Sequence, residues 1–97
     1  PASHRTILMR VLRNLHGVYR DAQDWERATR CADRVLKLSP EDADALRDRG
    51  LGYLQIGHLA GAREDLSQYL SRHAHAADAS EVRTQLIEAG RGSARVH

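Results

Sequence analysis

The chain has 97 residues, of which 41% are hydrophobic and 29% are charged, a balance typical of one folded domain rather than of a disordered segment. No apolar stretch approaches the ~20 residues of a transmembrane helix, and neither a secretory signal nor an internal disulfide is indicated, since the cysteine is single. The formal net charge is +2 and acidic residues alternate with basic ones, which argues against nucleic-acid binding. The sequence predicts a cytoplasmic protein without membrane segments.

Two predicted helices make up a first unit. Residues 1–6 precede it and are predicted to form an amino-terminal extension or linker. Apolar residues then recur at helical spacing: Leu8, Val11, Leu12, Leu15, Val18 and Tyr19. Asp21 to Asp24 interrupts this stripe, and Asp24 is placed to cap the next helix. The second stripe consists of Trp25, Ala28, Ala32, Val35 and Leu36. Ser39 to Asp42 ends it, because proline cannot continue a helix.

The second unit follows the same order. One helix carries Leu46, Gly50, Tyr53 and Leu54 and ends at Gly57, and its partner carries Leu59, Ala62, Leu66, Tyr69 and Leu70. Residues 73–77 form a linker. Asp78 and Glu81 have capping-box spacing and predict a capping helix over 78–89, which Gly90 ends. Residues 91–97 are predicted to be a disordered tail.

An internal repeat relates the two units. A shift of 34 residues pairs Leu12 with Leu46, Tyr19 with Tyr53, Ala28 with Ala62, Ala32 with Leu66, Val35 with Tyr69, and Leu36 with Leu70. Because every pair is apolar in both copies, the sequence predicts an all-α fold of two tandem helix-turn-helix repeats, residues 7–40 and 41–74, with a carboxy-terminal capping helix. The whole domain is expected to cover 7–90.

These residues resemble the tetratricopeptide repeat (TPR). The second unit matches at Leu46, Gly50, Tyr53, Gly57, Ala62 and Leu66, and the first at Leu12, Leu15, Tyr19, Trp25, Ala28 and Pro40. The resemblance implies a right-handed α-α superhelix that serves as a protein-protein interaction scaffold. His16 stands where the repeat usually has a small residue, and Arg49 where it usually has leucine, so Gly17 is expected to supply room beside His16. Gly50 is expected where two helices of one repeat touch.

A narrower resemblance covers roughly Ile7 to Ala89. The run from Arg47 to Tyr53, followed by Asp65-Leu66 and Tyr69-Leu70, is similar to the carboxy-terminal region of bacterial transglutaminase-like proteins of the SirB type. It implies that the chain is a fragment of a longer protein with a transglutaminase-like domain upstream. An alternative function is therefore a non-catalytic accessory region of such a hydrolase.

The first helix of each repeat lines the concave surface of such a stack. The predicted groove residues are Arg10, Arg13, Asn14, Gly17 and Arg20 from the first helix, and Arg47, Asp48, Leu51, Leu54 and Gln55 from the third. Arginine there could grip a carboxylate of a peptide or a neighbouring domain. The alternative, favoured for the charges, is that Arg10 and Arg13 pair with Asp44 and Asp48 across neighbouring helices. A clamp for chaperone tails is rejected because Asp48 would repel the terminal carboxylate.

Catalysis and metal binding are not expected. Cys31, His16 and Asp33 suggest a thiol triad only by type, because all three lie on the predicted helix pair without an oxyanion loop. Cys31 is interpreted as a packing residue. His73 and His75 supply fewer ligands than the three or four that zinc requires. The sequence therefore predicts neither an enzyme nor a cofactor or metal site.

The first helix is expected to lack a neighbour on its leading side. Ile7, Leu8 and Val11 should then form an incompletely covered apolar edge, which an upstream domain of the parent protein would bury. In isolation the chain is expected to be a monomer or a weak dimer.

Overall fold

The computed structural model describes residues 3–95 of the chain. Within that range five helices follow one another: α1 (His4–Asp21), α2 (Trp25–Leu38), α3 (Ala43–Gln55), α4 (Leu59–Arg72) and α5 (Ala79–Arg95). Each helix packs on the next one along the chain, and α5 also touches α3. The molecule measures 53 × 29 × 20 Å, the elongated form expected of stacked helix pairs. The predicted all-α fold with TPR-like repeats is confirmed.

The turns inside the two repeats have the same hydrogen bonds. The Asp24 amide donates to the Tyr19 carbonyl at 2.8 Å, and 34 residues later the His58 amide donates to the Tyr53 carbonyl at 2.8 Å. The residue before each amide has a positive φ, 59° at Gln23 and 82° at Gly57. This backbone region favours glycine, so the first turn is the more strained of the two.

Side-chain caps fix where the helices begin. The carboxylates of Asp24 and Asp42 accept hydrogen bonds from the Arg27 amide at 3.3 Å and the Ala45 amide at 2.9 Å. Ser3 does the same for α1, because its hydroxyl accepts from the Thr6 amide at 3.1 Å. Helix α1 consequently begins at His4, inside the stretch 1–6 that was predicted to be an extension or linker.

The carboxy-terminal helix also differs from its predicted bounds. Helix α5 continues to Arg95 instead of ending at Gly90, so residues 91–95 of the predicted disordered tail are helical, and residues 96 and 97 lie outside the described range. An internal glycine costs ~1 kcal/mol relative to alanine, which does not by itself end a helix. At the start of α5, the Asp78 carboxylate accepts from Tyr69 and Arg47 rather than closing the expected capping box with Glu81.

Residues from all five helices share one apolar core: Leu12, Val35, Leu36, Ala45, Leu46, Leu66, Tyr69 and Val82. Of the predicted stripe on α1, only Leu12 is buried. Leu8, Val11, Leu15 and Val18 are 38% to 60% exposed, because α2 is the only described helix that packs closely on α1. The prediction that Ile7, Leu8 and Val11 form an uncovered apolar edge is confirmed, and the uncovered strip is longer than expected.

Two glycines on α3 permit close contacts on opposite sides. A Cβ atom at Gly50 would lie 2.6 Å from Leu66 Cδ2 of α4, and one at Gly52 would overlap Thr29 Oγ1 of α2. The expected position of Gly50 is thus confirmed. Gly17 was expected to make room beside His16, but a Cβ there would meet only an Arg20 nitrogen at 3.9 Å. Gly17 therefore faces open space.

Replacing Gly50 by alanine should lower the stability of the domain by ~1–3 kcal/mol, because the new methyl group overpacks the contact with Leu66. Gly17→Ala is the matched control, since it places the same methyl group in a helix interior where space is free. That variant should be neutral or stabilising, by up to ~1 kcal/mol of helix propensity. Urea unfolding measures both, and equal stabilities of the two variants would contradict the packing at Gly50.

Candidate functional site

A groove runs between α1 and α3 above α2, and it has two adjoining lobes. The first lobe has a volume of about 240 Å³, and the second, towards the carboxyl ends of α1 and α3, has about 260 Å³. His16, Arg20 and Asp48 line both lobes. The first helices of the two repeats therefore enclose a concave site, where the repeat architecture places it.

The structure brings most of the predicted groove residues together. Arg13, Gly17, Arg20, Arg47 and Asp48 line the first lobe, and Arg20, Asp48, Leu51 and Gln55 line the second. The other three lie elsewhere: Arg10 and Asn14 border a separate cleft beside Thr6 and Met9, and Leu54 packs against the core.

Five residues of the second lobe lie outside the predicted groove set: His16 of α1, Trp25 and Ala28 of α2, Gly52 of α3 and Gln85 of α5. The periodic pattern had assigned Trp25 to the interior stripe of α2. Gln85 reaches the groove because the irregular segment between α4 and α5 sets the direction of α5, and the sequence pattern does not specify that direction.

Arg47 is held by three carboxylates. Its guanidinium nitrogens lie 3.1 Å from Asp48 Oδ1, 3.1 Å from Asp78 Oδ2 and 3.4 Å from Asp44 Oδ1. Burial alone would lower the pKa of Arg47, but the charge and hydrogen bonding of Asp48 and the other two carboxylates raise it. Arg47 is consequently a fixed, charged part of the groove wall with few donors left for a ligand.

The predicted pairing of Arg10 and Arg13 with Asp44 and Asp48 is not found among the described residues. Arg13 pairs with Asp42, the N-cap residue of α3, while Arg47 occupies Asp44 and Asp48 from within α3 itself. Among the residues that the structure describes, Arg20 forms an ion pair only with Asp21, at 3.3 Å, and its side chain is 54% exposed. Of the arginines in the groove, Arg20 is therefore the one most available to a ligand.

His16 forms the wall where the two lobes meet. Its Nδ1 atom lies 3.8 Å from Asp48 Oδ2, and its side chain is largely covered. Burial lowers the pKa of His16 below the ordinary value, although Asp48 acts in the opposite direction. At neutral pH the imidazole is accordingly uncharged, so it adds hydrogen-bonding capacity to the groove without adding charge.

Asp78 anchors the start of α5 to the groove. The Tyr69 hydroxyl donates to Asp78 Oδ1 at 2.6 Å, and Arg47 donates to Oδ2 at 3.1 Å. The hydrogen bond from Tyr69 and the charge of Arg47 hold the pKa of Asp78 below its usual range. Since Asp78 connects α5 to both α3 and α4, it determines where Gln85 enters the second lobe.

Arg49 belongs to a second ion-pair cluster away from the groove. Its guanidinium forms two hydrogen bonds with the buried Asp65 of α4, at 2.7 and 2.8 Å, and a third with Asp33 of α2, at 2.9 Å. Hydrogen bonding to Asp65 is the main effect that raises the pKa of Arg49. Arg49, at a position where the repeat usually has leucine, thus joins α3 to both α2 and α4.

Replacing Arg49 by leucine should lower stability by ~3 kcal/mol, because it leaves the Asp65 carboxylate buried without a partner. Adding Asp65→Ala to Arg49→Leu should restore part of that loss, since the unpaired charge is then removed. Lys37→Leu is the control for a surface pair, because Lys37 contacts Asp33 at 3.1 Å with 75% of its side chain exposed, and its effect should stay below ~1 kcal/mol. Chemical denaturation of all three variants checks this order, and a single Arg49→Leu variant as stable as Lys37→Leu would contradict it.

Comparison with known proteins agrees with the fold. Residues 15–87 match the family model described as tetratricopeptide repeat, which is more than half of the chain, and the chain therefore belongs to the tetratricopeptide repeat family. It is also 52% and 50% identical, over all 97 residues, to the UPF0162 proteins of Xylella fastidiosa strains 9a5c and Temecula1. The chain spans 34% of the length of each of these relatives. No solved structure matched it.

Neither a membrane-spanning helix nor a metal-binding cluster is found in the described part of the chain. None of its helices is long and apolar enough to cross a membrane. Within residues 3–95, no three histidine, cysteine or acidic side chains come together in a way that could hold a metal ion. His73, one of the two linker histidines considered as ligands, packs its ring against Tyr69 with a centroid distance of 5.4 Å.

Proposed function

We propose that this domain binds a protein segment in the groove between α1 and α3. Membership of the tetratricopeptide repeat family supports a protein-interaction role in general. The particular surface is supported by one observation: the two lobes combine an available arginine, Arg20, with the partly buried apolar side chains of Leu51 and Trp25. A polar anchor beside an apolar floor is the usual composition of a specific binding site.

The charges of the groove indicate what the ligand carries. Arg47 and Arg13 are engaged by carboxylates of the domain itself, and the lobes are close to neutral, with Asp42, Asp44 and Asp48 facing the three arginines. A strongly charged ligand gains little there. We expect an extended segment with one carboxylate for Arg20, because arginine binds carboxylates in bidentate geometry, and an apolar side chain for the second lobe.

A random peptide library displayed on phage tests the proposal, with the purified chain as bait. Selected peptides should shift the fluorescence of Trp25, which is the single tryptophan and lines the second lobe. Their affinity should fall about tenfold or more in Arg20→Glu, which removes the anchor and adds repulsion, as expected for one charge-assisted pair. Arg63→Glu, an exposed change on α4, is the matched control. Peptides that bind Arg20→Glu as well as they bind the unchanged chain would place the site elsewhere.

A second candidate is an accessory region of a larger protein. The observation that favours it is that the chain spans 34% of the length of its curated relatives, so the groove could hold a neighbouring domain of the same polypeptide. An upstream transglutaminase-like domain, which the resemblance implied, belongs to this proposal. An array of overlapping peptides covering the rest of the Xylella sequence separates the two candidates: selective capture by the unchanged chain but not by Arg20→Glu favours the accessory role.

The domain itself is proposed to have no catalytic centre. Cys31 is 5% exposed, and burial raises the pKa of its thiol, which disfavours the reactive thiolate. The other two members of the imagined triad are engaged elsewhere: Asp33 binds Arg49 and Lys37, and His16 lies beside Asp48.

Cys31→Ser should therefore leave peptide binding and oligomeric state unchanged and cost only ~1 kcal/mol or so of stability, from placing a hydroxyl in a buried position. Thiol-dependent ester or amide hydrolysis assays on the 97-residue chain should give background rates for both proteins. A hydrolytic rate that disappears in Cys31→Ser would refute the proposal.

A further inference from the structure

The uncovered side of α1 forms a continuous apolar strip, which we call the leading strip. It consists of Ile7, Leu8, Val11, Leu15 and Val18, whose exposed fractions are 50%, 46%, 46%, 38% and 60%. No described helix other than α2 packs closely on α1, and α2 covers the side that carries Leu12. Contiguous exposed apolar surface on a small domain marks an interaction site.

The spacing of the leading strip fits another helix. Leu8, Val11, Leu15 and Val18 follow each other at intervals of three, four and three residues, the a and d positions of a heptad pattern. Side chains in that pattern lie along one seam, where they interlock with the seam of a second helix. An extended peptide would cover this surface less completely, because its side chains alternate every two residues.

Positive charge borders the strip on the α2 side. The Arg27 guanidinium lies 5.8 Å from the centre of the Tyr19 ring, which places that side of α2 next to α1. Arg34 follows two turns later on the same side, is exposed and has no ion-pair partner among residues 3–95. Further along α2, the Leu38 carbonyl accepts a hydrogen bond from Arg5 of α1. The side of α2 that lies next to α1 therefore extends from Arg27 to Leu38.

The opposite border carries one further arginine. Arg10 follows Ile7 by one turn, is exposed and has no ion-pair partner within the described range. Asp21, three turns after Arg10 on the same side of α1, lies 3.3 Å from Arg20, and Asp24 at the start of α2 lies 3.3 Å from Arg27. Two copies of the chain packed through this surface would bring like charges together, which disfavours a homodimer.

We propose that the leading strip is a docking site for an acidic amphipathic helix, one with leucine or isoleucine at heptad spacing and glutamate or aspartate beside that seam. The seam buries the strip, and the flanking carboxylates pair with Arg34 and Arg10. This site is separate from the groove, because Val11 and Arg20 are nine residues apart, two and a half helical turns, and so point in opposite directions from α1. Occupation of one site leaves the other open.

Two synthetic helical peptides test the proposal. Both carry the same leucine heptad seam, one flanked by glutamate and the other by lysine, and fluorescence anisotropy measures their binding to the full 97-residue chain. The glutamate peptide should bind at least tenfold more tightly than the lysine peptide. The double variant Arg10→Glu with Arg34→Glu should reverse this preference. Hydrogen exchange should show α1 becoming protected when the glutamate peptide is added.

Apolar contact is tested separately. Val11→Glu with Leu15→Glu should abolish binding of the glutamate peptide, and circular dichroism should show unchanged helicity, because both positions are exposed. Ile87→Glu is the matched control, as Ile87 is 48% exposed on α5 at the far end of the stack, and it should bind normally. Three results would each overturn the proposal. The two peptides could bind equally well, or Ile87→Glu could lose as much binding as the double variant. Sedimentation could also show a stable dimer that the Val11 and Leu15 changes dissociate.

Discussion

Close packing of α3 against α2 and α4 holds the two repeats together. Gly50 brings α3 against Leu66 of α4, and Gly52 brings it against Thr29 of α2. Between them, Arg49 binds carboxylates from both of these helices. Three positions within one turn therefore fix the distance of α3 from its two neighbours, its rotation about its own axis and its ion pairs with them. The second repeat can tolerate little change there, because closely packed contacts do not relax easily.

Helix α1 shows what happens where such a neighbour is absent. It is the first helix of its repeat, as α3 is, but α2 is the only described helix that packs closely on it. One side of α1 borders the groove through Arg20, and the opposite side presents the leading strip. In a stack each unit buries its faces only against adjacent units, and among the described residues both of these surfaces of α1 are accessible. Helix α1 thus offers two separate surfaces to a partner.

Structural ion pairs determine which charges remain for binding. Arg47 and Arg49 each contact carboxylates on more than one helix, and their role is to hold α2, α4 and α5 in position around α3. Arg20, Arg10 and Arg34 make only exposed contacts or none within residues 3–95. The chain carries 14 arginines and 1 lysine. Of these, Arg20 is the cation that a ligand of the groove would meet, and Arg10 and Arg34 are those that a ligand of the leading strip would meet.

Features that depend on local structure could be predicted from the amino-acid sequence alone. The 34-residue period, the turn at Gly57 and the caps at Asp24 and Asp42 follow from residues close together in the chain, and they were sufficient to assign the repeat family and to place much of the groove. Helix ends are less predictable: Ser3 caps α1 within the predicted linker, and α5 continues past Gly90, because glycine only weakens a helix.

Which surfaces of those helices are buried depends on how the helices pack against one another. Leu12 and Val11 are adjacent members of one apolar pattern, but only Leu12 is buried, because a single neighbour covers less than the whole stripe. Arg49 reaches Asp33 and Asp65, each 16 residues away, and Gln85 enters the groove through the orientation of α5. Pairings over such separations depend on how helices are placed in space. Sequence periodicity predicts which face of its own helix a residue occupies, whereas the packing of the helices determines which residues that face contacts.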